Sequence, residues 1–155
     1  MKVSKLKGMS VVNLADGARI GRIENVLIDT AALQIRSLVL TAPGGESTFP
    51  FASARIGPDA VTVDGAESLQ TTESTAESVL RSLDELDGMK VVNADGAYLG
   101  DARELEISEA DGALEELEAH RGGVLGMGGT SISIPVASIR AIGPDFMTVD
   151  APAPD

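Results

Sequence analysis

Apolar and polar positions alternate along most of the chain in runs too short for helices. Ser10 to Asn13, Arg19 to Asp29, Gln34 to Thr41, Thr48 to Phe51 and Ala60 to Asp64 are rich in β-branched and aliphatic residues, so each predicts a strand. Turn chemistry separates them. Asp16-Gly17 and Asp95-Gly96 predict tight primed hairpin turns, because such turns need positive φ and Asp-Gly adopts it at little cost. Gly57-Pro58-Asp59 and Gly143-Pro144-Asp145 predict a turn before the last strand of each half, with proline fixing φ. Gly21 and Gly100 fall inside strand patterns, where glycine marks a bulge or a sharp bend.

The period changes between Gly65 and Leu86. Glu, Ser and Thr dominate there, and Ala76, Val79, Leu80 and Leu83 repeat at helical spacing. Ser74 with Glu77 fits a capping box that starts a helix at about Thr75. The expected role is a linker helix whose stripe seals one barrel or the joint between two. An exposed groove-binding helix is the alternative.

The strand pattern occurs twice. Lys7 to Gly21 matches Asp87 to Gly100 after deletion of one residue: Gly8 pairs with Gly88, Val11-Val12-Asn13 with Val91-Val92-Asn93, and Asp16-Gly17 with Asp95-Gly96. Ile35 and Leu38 fall against Leu114 and Leu117, Phe49-Pro50-Phe51 against Ile134-Pro135-Val136, and Val61-Thr62-Val63-Asp64 against Met147-Thr148-Val149-Asp150. So many ordered matches indicate duplication of a unit of about 60 residues. The expected organisation is a first domain at 1–65, a linker with a short helix at 66–85, a second domain at 86–151 and a tail at 152–155. Short strands spaced by turns indicate a mainly β fold, and a barrel is favoured because closure removes sheet edges.

Composition narrows the partners. A hydrophobic content of 43% can bury a core, but with no tryptophan, one tyrosine and three phenylalanines that core must be aliphatic. A net charge of −12 and scarce aromatics argue against direct nucleic-acid binding, which relies on stacking and basic groups. Lys2, Lys5 and Lys7 read as a solvated flank rather than a basic patch. Without cysteine there are no disulfides, thiolate metal sites or cysteine nucleophiles. The charged Met1 to Gly8 leads into no signal-type apolar run, and no stretch approaches the roughly 20 apolar residues of a membrane span. The expectation is a cytoplasmic protein that touches membranes only through a partner.

The combined motif resembles the PRC-barrel family. A glycine precedes a strand and a D-G-x-x-(I/L)-G turn, and a proline-bearing strand with S-x-x-I-G-P-D follows: Gly8, Asp16 to Gly21, Asp29, Pro50 and Ser53 to Asp59 in one copy. The other copy has Gly88, Asp95 to Gly100, Ser108, Pro135 and Ser138 to Asp145, with serine at 108 where the first has Asp29. The resemblance implies two small β-barrels in tandem used as a protein-recognition adaptor. Relatives serve in the photosynthetic reaction-centre H subunit, a ribosome maturation factor and archaeal division-associated proteins. Neither the membrane helix of the first nor the distinct N-terminal domain of the second is expected here, so neither role is expected to carry over whole.

Catalytic chemistry finds no foothold in the sequence. The one histidine, His120, has Glu115, Glu116 and Glu118 nearby, but these lie on mixed strand faces that suit a solvated surface better than a ligand set. Glu104 to Glu109 and Glu115 to Glu118 alternate with Leu105, Ile107 and Leu117, as in a strand with charge outside and apolar residues inside. The glycine-rich Gly122 to Gly129 lacks the P-loop lysine and precedes a strand, so it reads as a hairpin tip. Val124, Leu125 and Met127 on that tip are the candidate contact for a partner or for self-association to a homodimer. The expected function is a non-enzymatic scaffold or adaptor with no cofactor and no metal. A small-ligand or ion-binding sensor, or an accessory factor in ribosome or RNA maturation or in a photosynthetic or membrane complex, are the alternatives.

Overall fold

The computed structural model describes residues 1–42, 45–65, 70–71, 80–122 and 129–152. The first half forms β1 (Ser10–Asn13), β2 (Arg19–Asp29), β3 (Gln34–Ala42), β4 (Gly45–Pro50), β5 (Ala54–Ile56) and β6 (Ala60–Val63). The linker adds β7 (Gln70–Thr71), β8 (Leu80–Ser82) and a short helix α1 (Leu83–Leu86). The second half repeats the series as β9 (Lys90–Asn93), β10 (Tyr98–Ile107), β11 (Leu114–Arg121), β12 (Thr130–Pro135), β13 (Ile139–Ile142) and β14 (Phe146–Val149).

Two sheets result, ordered β5-β6-β1-β2-β3-β4-β7 and β12-β11-β10-β9-β14-β13, with β8 pairing β2 beside the first path. The first strand of each repeat runs parallel to its last, β1 with β6 and β9 with β14, and the other pairings are antiparallel. The mainly β, duplicated architecture is the expected one. Among the described residues neither ladder runs round a full circuit, so each sheet has an edge strand there.

Inside this frame the glycines do what the sequence implied. At Gly21 the register of β1 on β2 skips a residue, with Val11 opposite Gly21 and Val12 opposite Arg19. A Cβ at Gly21 would stand 2.8 Å from the Thr41 carbonyl oxygen on β3, so the close approach at this bulge admits only hydrogen. The Asp-Gly turns differ from expectation. Of the described non-glycine residues only Leu33 has positive φ, so a primed pair at Asp16-Gly17 is not formed. The buried Asn13 shapes the loop instead, its side-chain oxygen accepting from the N–H of Ala15 and of Gly65, while its carbonyl accepts from Gly17 N–H. Asn93 repeats the device with Asp95 and Ala97.

The predicted linker helix falls largely outside the described residues. Its proposed start and capping pair, Ser74 and Glu77, together with Ala76 and Val79, lie outside the described residues. Leu80 is extended in β8, opposite Asp29. The helix that forms begins at Leu83 and carries its own capping box: Ser82 Oγ accepts from Glu85 N–H and Glu85 Oε1 accepts from Ser82 N–H.

The two repeats exchange their lead-in segments. Residues before the second repeat cross to the first, where Ser82 pairs with Leu27 and Leu80 with Asp29. Residues before the first repeat cross to the second, where Lys2 bridges Glu106 and Ile107 N–H donates to the Met1 carbonyl. Under the offset of the duplication Lys2 corresponds to Ser82 and Leu27 to Glu106, so the exchange is reciprocal. Side chains repeat it as well, with Ser4 donating to Glu104 at 2.6 Å and Asn25 donating to Asp84 at 3.1 Å. The 3-10 turn Val3–Leu6 and helix α1 each bury a leucine, Leu6 and Leu86. Burial of such a side chain contributes roughly 1.5–3 kcal/mol. One apolar cluster then runs through both halves, from Leu38 and Phe49 to Leu117 and Ile134.

Candidate interaction surface

The joint between the repeats is built from their longest hairpins. The turn after β2 meets the turn after β10, with Gln34 bridging Ala113, Ile35 N–H donating to Gly112 O at 3.0 Å and Leu114 N–H donating to Leu33 O at 2.9 Å. Gly112 holds φ +73 there, and a Cβ on it would come within 2.8 Å of the Phe51 ring. Leu33 at the corresponding position has φ +54.

Beside this joint opens a cleft of about 440 Å³, lined by Asp29, Gln34, Arg36, Phe51, Ala110 and Asp111. Its buried carboxylate is fully engaged. Asp29 Oδ1 accepts from the N–H groups of Ala31 and Ala32 at 2.9 Å, and Oδ2 accepts from Arg36 at 2.9 Å. The Ala32 N–H bond, then the Arg36 bond, hold this carboxyl below the ordinary aspartate range. Position 108 is serine, and there the turn is tied by backbone instead, Ser108 N–H to Ala113 O and Gly112 N–H to Ser108 O. The difference between copies that Asp29 and Ser108 suggested is therefore a difference in how the turn is capped.

The acidic strands behave as expected. Leu105, Ile107 and Leu117 are buried while Glu115 and Glu116 are exposed. His120 sits on the outer side of β11 with Nδ1 at 3.1 Å from Ser131 Oγ, and no cluster of metal-ligating groups occurs among the described residues. The single tyrosine, Tyr98, donates to Asp101 at 2.9 Å, which together with burial raises its hydroxyl pKa. Lys90 and Arg121 stand 5.1 and 5.7 Å from its ring. Lys7, read as part of a solvated flank, pairs with Asp84 on α1.

Among the sequence-derived contact residues, Val124, Leu125 and Met127 lie outside the described residues. Two other large apolar side chains stand out on the described surface, Leu14 at 56% exposure and Phe146 at 47%. Neither matches a large apolar residue in the other repeat, since Ala60 occupies the place of Phe146 and Leu14 lies where the second repeat is one residue shorter, so repeat comparison masked both. Strand edges form the remaining candidate. β4 is covered by β7, with Ser47 opposite Thr71 and Thr48 opposite Gln70. Its counterpart β12 pairs only with β11 among the described residues. Among the described residues no helix is long and apolar enough to cross a membrane.

No curated protein matches the chain. A family model does, the PRC-barrel domain, and it matches twice, over residues 1–70 and 79–155. With both repeats accounted for in this way, the chain belongs to the PRC-barrel family as a tandem of two such domains.

Proposed function

We infer that this protein is a non-enzymatic, cytoplasmic adaptor whose two PRC-barrel domains act as one rigid platform for another protein. The reciprocal exchange of lead-in segments carries this reading, because it fixes the outer faces of both sheets relative to each other through one shared core. A composite surface of that kind suits recognition of a partner larger than either domain. Exposed Leu14 and Phe146 on an otherwise acidic molecule supply apolar contact points. The test is cross-linking and purification of the tagged chain from its source cell, beside a Leu14→Ser, Phe146→Ser variant. One protein recovered in fixed ratio by the native chain and lost with the variant supports the reading. Recovery of no specific protein, with a monomeric sedimentation profile, sinks it.

A second reading rests on the cleft at the joint. Its volume of about 440 Å³ falls within the range of small-ligand pockets, and Arg36 and Phe51 give it a cationic and an aromatic wall. A ligand sensor would show a rise in melting temperature with one member of a metabolite library, since binding to the native state alone stabilises it.

A further inference from the structure

The two repeats differ in what lies on the outer edge of their fourth strand. In the first repeat the edge of β4 is taken by β7, antiparallel, with Thr48 opposite Gln70 and Ser47 opposite Thr71. Thr48 and Pro50 are half-buried. In the second repeat the corresponding Ser133 and Pro135 are exposed, and no described strand pairs with β12 beyond β11. An edge strand presents a row of unpaired N–H and C=O groups, and proteins usually guard such edges with charge. β12 reads Thr-Ser-Ile-Ser-Ile-Pro and carries none.

The charge sits one strand further in. Glu118 is opposite Ser133 and Glu116 opposite Pro135 on the outer face of β11. Their neighbours on β10 are occupied, Glu104 by Ser4 and Glu106 by the amino group of Met1, whereas Glu116 and Glu118 make no ion pair among the described residues. In the first repeat the matching positions are Ser37 and Val39, so the acidic pair belongs to the open edge alone. Strands lie about 4.8 Å apart, so a long cationic side chain on a strand added outside β12 reaches over Ser133 to Glu118.

We propose that the β12 edge is a docking site for an extended, basic segment of a partner protein, added antiparallel in the register that β7 takes on β4. The added strand sets an apolar residue opposite Ile134, whose side chain is buried, and lysine or arginine opposite Ser133 and Pro135. Main-chain bonds supply the attachment and the glutamates select its charge. This deepens the adaptor reading and rests on it.

The probe is a peptide of residues 67–73 of this chain carrying Ser68→Lys and Gln70→Lys, which places the two lysines opposite Pro135 and Ser133 and Leu69 opposite Ile134. Added to the full chain, it is expected to slow amide hydrogen exchange at residues 131–134, and to bind about tenfold or more tighter than the unaltered 67–73 peptide, the size of one well-placed charge contact. A Glu116→Lys, Glu118→Lys variant, altered at one exposed and one half-buried position on the outer face of β11, keeps its melting temperature and reverses the preference between the peptides. Equal binding of both peptides, or no change in exchange at 131–134, overturns the proposal. So does an edge already protected in the chain alone, whether sedimentation shows a dimer, meaning a second copy covers it, or a monomer. A partner recovered from cells equally well by the charge-reversed variant would overturn the edge assignment while leaving the adaptor reading intact.

Discussion

Gln34 pairs across the joint with Ala113, which is its own counterpart in the other repeat. The flanking bonds obey the same rule, since Ile35 corresponds to Leu114 and Leu33 to Gly112, and each donor in one repeat finds the acceptor that the other repeat offers in return. A local two-fold relation therefore passes between these residues. The chain is organised as a homodimer would be, with its two subunits fused.

Fusion predicts how the pieces behave. A fragment of residues 79–155 keeps the lead-in that belongs on β2 but loses β2 itself, and its β10 loses the Lys2 bridge. It should not be a stable monomer. Sedimentation is expected to show self-association or aggregation, and mixing with a 1–72 fragment should restore a folded one-to-one complex by circular dichroism. A monomeric, cooperatively melting 79–155 fragment would refute the fused-dimer view.

The joint also bears a steric prediction. Gly112→Ala meets two costs, a left-handed backbone at φ +73 and a Cβ 2.8 Å from the Phe51 ring. Together these amount to about 2–4 kcal/mol, one or two from the dihedral and the rest from overpacking. Replacing Phe51 with valine, the residue at the matching position 136, should recover only the packing part. Urea denaturation of the single and double variants separates the two costs.

Much of this fold was legible because the duplication repeats its punctuation. The limits of β1 and β2, the bulge at Gly21 and the Gly-Pro-Asp turns follow from glycine placement and period alone. Asn13 and Asn93 were visible as repeated letters, yet their burial and their grip on the hairpin loops depend on donors such as Gly65, far along the chain. The lead-in exchange was hidden for the same reason. Leu80 and Leu83 share a helical spacing, but β2 offers Leu80 a strand partner, and pairing with another repeat overrides local propensity. The edge of β12, unpaired among the described residues, was equally out of reach, since it is defined by contrast with a strand that covers β4.

Asp29 predicts a pH dependence. Its carboxyl is depressed in the folded state, so the stabilisation it gives is complete above the unfolded value near 3.8 and is lost as pH falls through the folded value. Asp29→Asn should lower stability at pH 7 by roughly 1.5–3 kcal/mol, the worth of hydrogen bonds to a charged group. The gap between variant and native protein should shrink as pH falls below the ordinary aspartate range. Glu85, also depressed, first by its bond to Ser82 N–H, contributes to the acid slope that remains in the variant. A gap that stays constant from pH 7 to acid would show that Asp29 acts through packing instead.

Leu6 and Leu86 occupy matching places in the two lead-ins, and both are buried, at 0% and 2% exposure. Leu6 belongs by sequence to the first repeat but sits on the turn that docks against β10 of the second. Truncating either residue to alanine removes apolar contacts from the one cluster that both sheets share, at a cost of about 2–5 kcal/mol. Tyr98, on β10, makes the consequence observable, because it is the chain's only tyrosine. In Leu6→Ala the Tyr98 fluorescence and the far-ultraviolet circular dichroism should move together to a lower midpoint, with a single transition. Two separated transitions, with the tyrosine signal unmoved, would mean that the repeats unfold independently and that the exchanged segments contribute little to the second.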